Sequence, residues 1–257
     1  MISSHKNNRQ HVICMANFRT LHSREMWCNP VLTLLFFSHR LLPTLRENIA
    51  ELLTVELPKV RLQLLQPLSQ FVQNKVICNE AARIIFICTH NSRRSQFCQV
   101  WAQTAADFFG VPVQCFSGGV EVTKVGDQSV SSLERFGFDV VRGHGENPVH
   151  VIRHSEGGQG IRAFSKAYND PVNSGKPFAV VMTCSDADDN CPVIPDAEIR
   201  FAMLYKDPMA FDDTPEEAVQ YDECSAQIAS EMLYVFSRIT IQSWWRFPNH
   251  SAFLIGI

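Results

Sequence analysis

Arg83-Ile-Ile-Phe-Ile-Cys88-Thr-His-Asn-Ser-Arg-Arg94-Ser95 is the stretch that decides the fold. Its first half is almost wholly apolar and rich in β-branched residues, the signature of a short strand buried on both faces of a parallel sheet. Its second half is polar and leads into Arg94 to Phe109, where Phe97, Val100, Trp101, Ala105 and Phe108 recur at helical spacing and Gly110 supplies the stop. A buried strand, a six-residue loop and a helix in that order form the first half of a βαβ unit.

Working outward, Pro112 to Phe116 is a second strand candidate, followed by the turn Ser117-Gly-Gly. A helix is expected from Gln128 to Phe136, stopped by Gly137. Val149 to Ile152 and Ile161 to Phe164 form candidate short strands around Gly157-Gly158, so that His150 to Ser165 reads as an inserted hairpin. Phe178-Ala-Val-Val-Met-Thr183 is another buried strand. Thr214-Pro-Glu-Glu217 carries a cap, a proline and an acid in the order of a helix start, and Cys224, Ile228, Met232 and Phe236 mark the buried face of that helix. The alternation predicts an α/β domain over 81–240, with a four-stranded parallel sheet flanked by helices. Upstream, Thr44 and Glu47 form a capping-box pair and Leu45, Ile49, Leu52 and Leu53 one helical face. Pro58 and Pro67 are expected to break or kink the chain between this helix and the first strand. Residues 41–80 are therefore a helical extension of two or three short helices, packed on the neighbouring core. Residues 1–40 and 241–257 remain unassigned, the first as a leader expected to be disordered.

The loop from Cys88 to Arg94 carries chemistry. Successive backbone N–H groups of Thr89, His90, Asn91, Ser92 and Arg93 can curl around one tetrahedral oxyanion, and the helix behind them adds its positive end. The same groups favour a thiolate at Cys88, whose pKa is expected to fall below the free value of about 8.5. Arg94 can hold two oxygens of the anion bidentately. Asn91 suits positive φ, and the Ser95 hydroxyl can donate to the sulfur. The bland alternative is a buried strand-end cysteine with an unrelated arginine six residues on.

Composition limits the alternatives. The 257 residues are 46% hydrophobic and 19% charged, with a formal net charge of −3. No global basic field draws this chain to nucleic acid, so a bound anion must be held locally. Nine cysteines, an odd number in a chain this long, argue for reduced thiols in a cytoplasmic setting rather than a disulfide scaffold. The apolar run Val31 to Phe37 falls far short of the roughly 20 residues of a membrane span. No membrane attachment, cofactor or metal is expected, and a monomer is.

The loop resembles the C-x5-R-[ST] signature of the low-molecular-weight protein tyrosine phosphatase family, which includes tyrosine phosphatases and thioredoxin-coupled arsenate reductases. Ile87 to Gln96 departs from the common reductase form at His90, where glycine is usual, and at Arg93, where cysteine is frequent. A second segment, Cys184-Ser-Asp-Ala-Asp-Asp-Asn-Cys191-Pro-Val-Ile-Pro195, is similar to the resolving segment of the reductases, a cysteine pair that the phosphatases lack. This resemblance implies a relay. Cys88 attacks arsenate and expels water; Cys184 attacks the Cys88 sulfur, releasing arsenite; Cys191 then leaves a Cys184–Cys191 disulfide for thioredoxin to reduce. The relay requires Ser185 to Asn190 to move, and their polar, flexible composition suits that. A zinc site would need closer ligand spacing. Cys14, Cys28, Cys78, Cys98, Cys115 and Cys224 read as packing residues or spectators.

The resemblance also implies that Asp207, in Asp207-Pro208, protonates the leaving oxygen. Beside a thiolate and an anion its pKa should be raised. Asp212 and Asp213 are backups. Met209 stands where tyrosine phosphatases carry a tyrosine that stacks on the substrate ring. The family's potassium site falls on Gln99, which is no acid, and is not carried over. Three functions are compatible with these residues: an arsenate reductase partnered by thioredoxin, a phosphatase hydrolysing phosphate monoesters through a cysteinyl-phosphate, or a non-catalytic oxyanion-binding module. Cys184 and Cys191 favour the first.

Overall fold

Strand β1, Ala82–Cys88, lies at the centre of the molecule because both of its faces are apolar. Ile84 and Phe86 point into one hydrophobic cluster and Ile85 and Ile87 into another, the two-residue alternation of a strand covered on both sides. The computed structural model describes residues 41–191 and 193–241. The leader with Val31 to Phe37, Cys14 and Cys28, the tail beyond 241, and Pro192 of the second cysteine segment lie outside these residues.

Three further strands run parallel to β1: β2 (Val113–Gly119), β6 (Phe178–Met182) and β7 (Ala197–Ala202), in the order β2-β1-β6-β7. The four-stranded parallel sheet expected from the sequence is the one observed. One face carries helices α1 (Pro43–Leu52), α2 (Lys59–Ile77), α3 (Arg94–Phe109) and α6 (Glu217–Ser237), whose buried stripes share a core with Ile84, Phe86, Ala179 and Val181. Gly110 ends α3 with φ of 67°, as a left-handed cap requires. On the other face, helix α5 (Ser185–Asn190) contributes Ala187 to a smaller cluster with Ile85, Ile87, Val180 and Met182.

Between these elements, α4 (Asp127–Arg135) leads into a second, antiparallel sheet of β3 (Asp139–Val141), β4 (His150–Arg153) and β5 (Ile161–Ala163). The expected hairpin is present, and β3 extends it by one strand.

Local start and stop signals fared less well. Helix α1 begins at Pro43 with Leu42 in the cap position and no side-chain cap, so Thr44 and Glu47 form no capping box. Proline at the first position presets the helical φ and settles the start. Pro67 does not end α2. It lies on the exposed face with Gln63, whose carbonyl loses its helical partner but faces water. Thr214 does not cap α6, which starts at Glu217; its hydroxyl donates back to the Phe211 carbonyl at 2.6 Å, closing the preceding turn. Among the described residues, no helix is long and apolar enough to cross a membrane.

Candidate active site

Parallel pairing brings Cys88 and Cys184 out at one sheet edge. Ile87 of β1 is in register with Met182 of β6, so the chain leaves both strands at the same sheet edge, where α/β folds hold their ligands. Neighbouring strands lie about 4.8 Å apart. The Thr89 hydroxyl bridges the two exits, 3.5 Å from Cys184 Sγ and donating to Asp186 at 2.7 Å. Cys88, Cys184 and Cys191 are all buried in the smaller hydrophobic cluster, and all three are free thiols.

The loop after β1 is held from outside. Its carbonyls accept from donors beyond the loop: Thr89 from the Glu121 amide, His90 from Ser165 and Thr123, Asn91 from the Gln96 side chain, and Ser92 from the Gly126 amide. Because N–H and C=O of a peptide unit point opposite ways, this turns the intervening N–H groups toward the inside of the curl. Asn91 has φ of 48°, the left-handed conformation expected of it. Its side chain is buried, with Nδ2 donating to Ser95 Oγ at 2.8 Å while Ser95 Oγ stands 3.0 Å from Cys88 Sγ. With Asn91 supplying one proton to the hydroxyl, Ser95 is left to direct its own toward sulfur. Gly119 makes the loop's close approach possible: a Cβ there would come within 2.9 Å of the Asn91 amide nitrogen and the Thr89 carbonyl oxygen.

Arg93 and Arg94 converge on Asp207. Arg93 contacts both carboxylate oxygens at 2.8 and 3.2 Å, and Arg94 donates to one at 2.6 Å and to the Tyr205 carbonyl at 3.3 Å. Arg94 Nε is buried without a partner among the described residues. This corrects the expectation for Asp207. Burial pushes its pKa up, but the hydrogen bond from Arg93 and the charges of Arg94 and Arg93 outweigh it and hold the carboxyl below its ordinary value. Of the two backups, Asp212 accepts the Tyr221 hydroxyl at 2.8 Å, and Asp213 is an exposed turn residue with φ of 61°. His90 reaches outward to Glu121 at 3.2 Å.

Cys184 and Cys191 bracket α5 as its N- and C-terminal caps, so the segment expected to be flexible is a short helix. Asp186 and Asp188 in its first turn suit the helix dipole. Arg200 of β7 closes the other end, donating to the Asp188 side chain and carbonyl and to the Cys191 carbonyl. Burial raises the Cys191 pKa, with Arg200 opposing and Asp188 assisting. Cys98, Cys115 and Cys224 are buried in the larger core, as their packing role requires, while Cys78 is exposed.

Two parts of the site were not legible. Ser165 and the Arg93–Asp207 pairing bring together residues 75 and 114 positions apart, with no local pattern to announce them. Gln99 is buried and accepts from the Ser117 hydroxyl at 2.5 Å.

No family model matches the chain. Among curated proteins, it is 30% identical to arsenate reductase 2 of Staphylococcus haemolyticus over 114 residues, 44% of this chain and 67% of that protein. It is 30% identical to the arsenate reductase of Staphylococcus aureus strain Newman over 133 residues, 51% and 76% of the two chains. A low-molecular-weight protein tyrosine phosphatase from T. tengcongensis aligns with TM-score 0.42 and 16% identity over 62% of this chain and 100% of its own, too distant to speak to chemistry. By the extent of these matches, the chain belongs to the arsenate reductase family.

Proposed function

We propose that this protein reduces arsenate to arsenite through Cys88, Cys184 and Cys191, with thioredoxin regenerating the dithiol. The observation that carries this reading is the presence of all three sulfurs in one buried cluster at the sheet edge, beside a loop shaped for a tetrahedral oxyanion. The anion enters the curl of Thr89 to Arg93 and competes with Asp207 for Arg94. With Arg94 drawn to the anion, Asp207 keeps Arg93 but loses one of the two charges that hold it ionised and faces a new negative charge, so it can take up a proton and pass it to the departing oxygen. The Cys88 thiolate bonds to arsenic as water leaves. Cys184 then bonds to the Cys88 sulfur, and the S–As pair of electrons departs with arsenite, reducing As(V) to As(III). Cys191 next attacks Cys184, freeing Cys88 as thiolate and leaving Cys184–Cys191 oxidised.

The last step dictates motion. A helix rises about 1.5 Å per residue, so caps seven positions apart lie roughly 10 Å from each other along the axis. A disulfide needs Cα atoms within about 6.8 Å. Helix α5 must therefore unwind as the final disulfide forms, which also carries it from the core to where a protein reductant can reach it.

A second reading, hydrolysis of phosphate monoesters, is favoured by the geometry of Cys88, Arg94 and Asp207 alone, since phosphate and arsenate have the same shape and charge. Arsenate-dependent NADPH oxidation with thioredoxin and thioredoxin reductase separates the two. Cys191→Ser should complete one arsenite release per protein and then stop, while any hydrolysis of para-nitrophenyl phosphate continues. Parallel loss of both activities would end the relay.

A further inference from the structure

Among the described residues, Lys166 is the one lysine whose side chain is fully buried, 2% exposed, and neither the anion loop nor the relay uses it. It lies just beyond β5 and reaches the site by two routes. Its backbone amide donates to Asn91 Oδ1 at 3.1 Å, and Asn91 in turn positions Ser95 against Cys88. Its ammonium donates to Ser117 Oγ at 3.2 Å, lies 3.5 Å from the Phe164 carbonyl and sits over the Phe164 ring at 4.6 Å. Ser117 passes its own proton to Gln99 on α3, the helix that opens with Arg94.

Burying an ammonium is costly unless a negative charge answers it. Among the described residues, no carboxylate forms an ion pair with Lys166. Asp170 acts on it only through space and Arg162 opposes; burial pushes the ammonium down to about 8. A hydroxyl, a carbonyl and an aromatic face solvate this cation, and they do not neutralise it.

We propose that Lys166 is a positioning residue whose buried ammonium, tied through Ser117 and Gln99 to the base of α3, holds the Cys88 loop in shape for its anion and supplies standing positive charge behind it. The inserted segment with its antiparallel sheet thereby has a purpose, to deliver Ser165 and Lys166 to the back of the loop. This rests on the reading of Cys88 as nucleophile, so its test avoids turnover.

Two quantities report it in the full chain: inorganic phosphate affinity by calorimetry, and the rate of Cys88 alkylation by iodoacetamide at pH 7, read by mass spectrometry. Lys166→Met keeps the volume and the backbone bond to Asn91 but removes the charge. It should weaken phosphate binding and slow alkylation by about tenfold each, a change a local field of modest size produces. Lys166→Arg should restore most of both. Should K166M fail to fold by circular dichroism, Ser117→Ala serves, since it unties the ammonium and removes only one oxygen, with a threefold or larger loss in both expected. Unchanged affinity and alkylation in the folded variant overturn the proposal. Slow alkylation already in the wild type would instead overturn the assignment of Cys88.

Discussion

At the scale of single residues, Asp207 is the group whose behaviour departs furthest from its expected state. It is an ion-pair partner of two arginines, and its pKa is lowered, not raised. A carboxyl whose folded pKa lies below its unfolded value contributes stability that is present above the unfolded value of about 3.9 and is lost as pH falls through the folded one. Wild type should therefore melt above Asp207→Asn at pH 6 to 7, with the gap closing as the pH is taken below about 4. A gap that stays constant or widens on acidification would show that the pairing contributes no linked protonation. The same variant should lose on the order of 10²-fold in para-nitrophenyl phosphate turnover, the usual worth of a general acid, since the leaving phenolate then departs unprotonated. Neither the pairing nor the shift could be foreseen from the sequence, because both come from Arg93 and Arg94, which reach Asp207 only after β7 has crossed the sheet. The positive φ of Asn91 was legible, since it comes from a loop that must curl within six residues.

At the scale of elements, the legible parts were those with a long-range physical cause. Strands β1 and β6 announce themselves because burial on both faces demands continuous apolar sequence. Helix α3 does so because its buried face recurs over sixteen residues. Caps were less legible, because Thr44 and Thr214 have the right neighbours by composition alone, and a single side-chain hydrogen bond is outweighed by proline placement or a competing turn. Helix α5 was missed because five polar residues around a lone Ala187 show no apolar period; its order comes from Arg200, a residue of the next strand. That latch yields a test. Arg200 is partly exposed, so its removal should leave global stability nearly unchanged while loosening α5 locally. In Arg200→Ala, amide exchange over residues 185–191 should quicken by about tenfold, consistent with a local opening made easier by about 1 to 2 kcal/mol. Oxidation by a mild disulfide donor should reach the Cys184–Cys191 state faster in the same variant. If exchange quickens but disulfide formation does not, unwinding of α5 is not what limits the last exchange.

At the scale of the whole molecule, the helices before β1 are built into the same core as the sheet. Leu45, Ile49, Leu65, Leu68, Val72 and Val76 are buried in the cluster that holds Phe86, Trp101 and Phe236. The sequence showed apolar faces on these helices but not their mates, because a helical stripe says that something is covered and not what covers it. One polar chain runs from the extension to the site. Arg61 of α2 grips Glu231 of α6 through Nε at 2.8 Å and Nη2 at 2.6 Å; Glu231 accepts the Tyr205 hydroxyl at 2.8 Å; and the Tyr205 carbonyl accepts from Arg94. Glu231 is 1% exposed, and Arg61 is the cation that pairs with it there. Arg61→Ala should destabilise the fold by about 3–5 kcal/mol, the usual consequence of stranding one member of a buried pair. Adding Glu231→Gln to it should recover part of that loss, because the amide no longer needs a cation. Urea titrations of the three variants give the comparison directly. Additive losses in the double variant would mean that Arg61 stabilises α2 through its packed stem and its stacking on Tyr205, 5.1 Å from the ring centre, and not through the charge it supplies to Glu231.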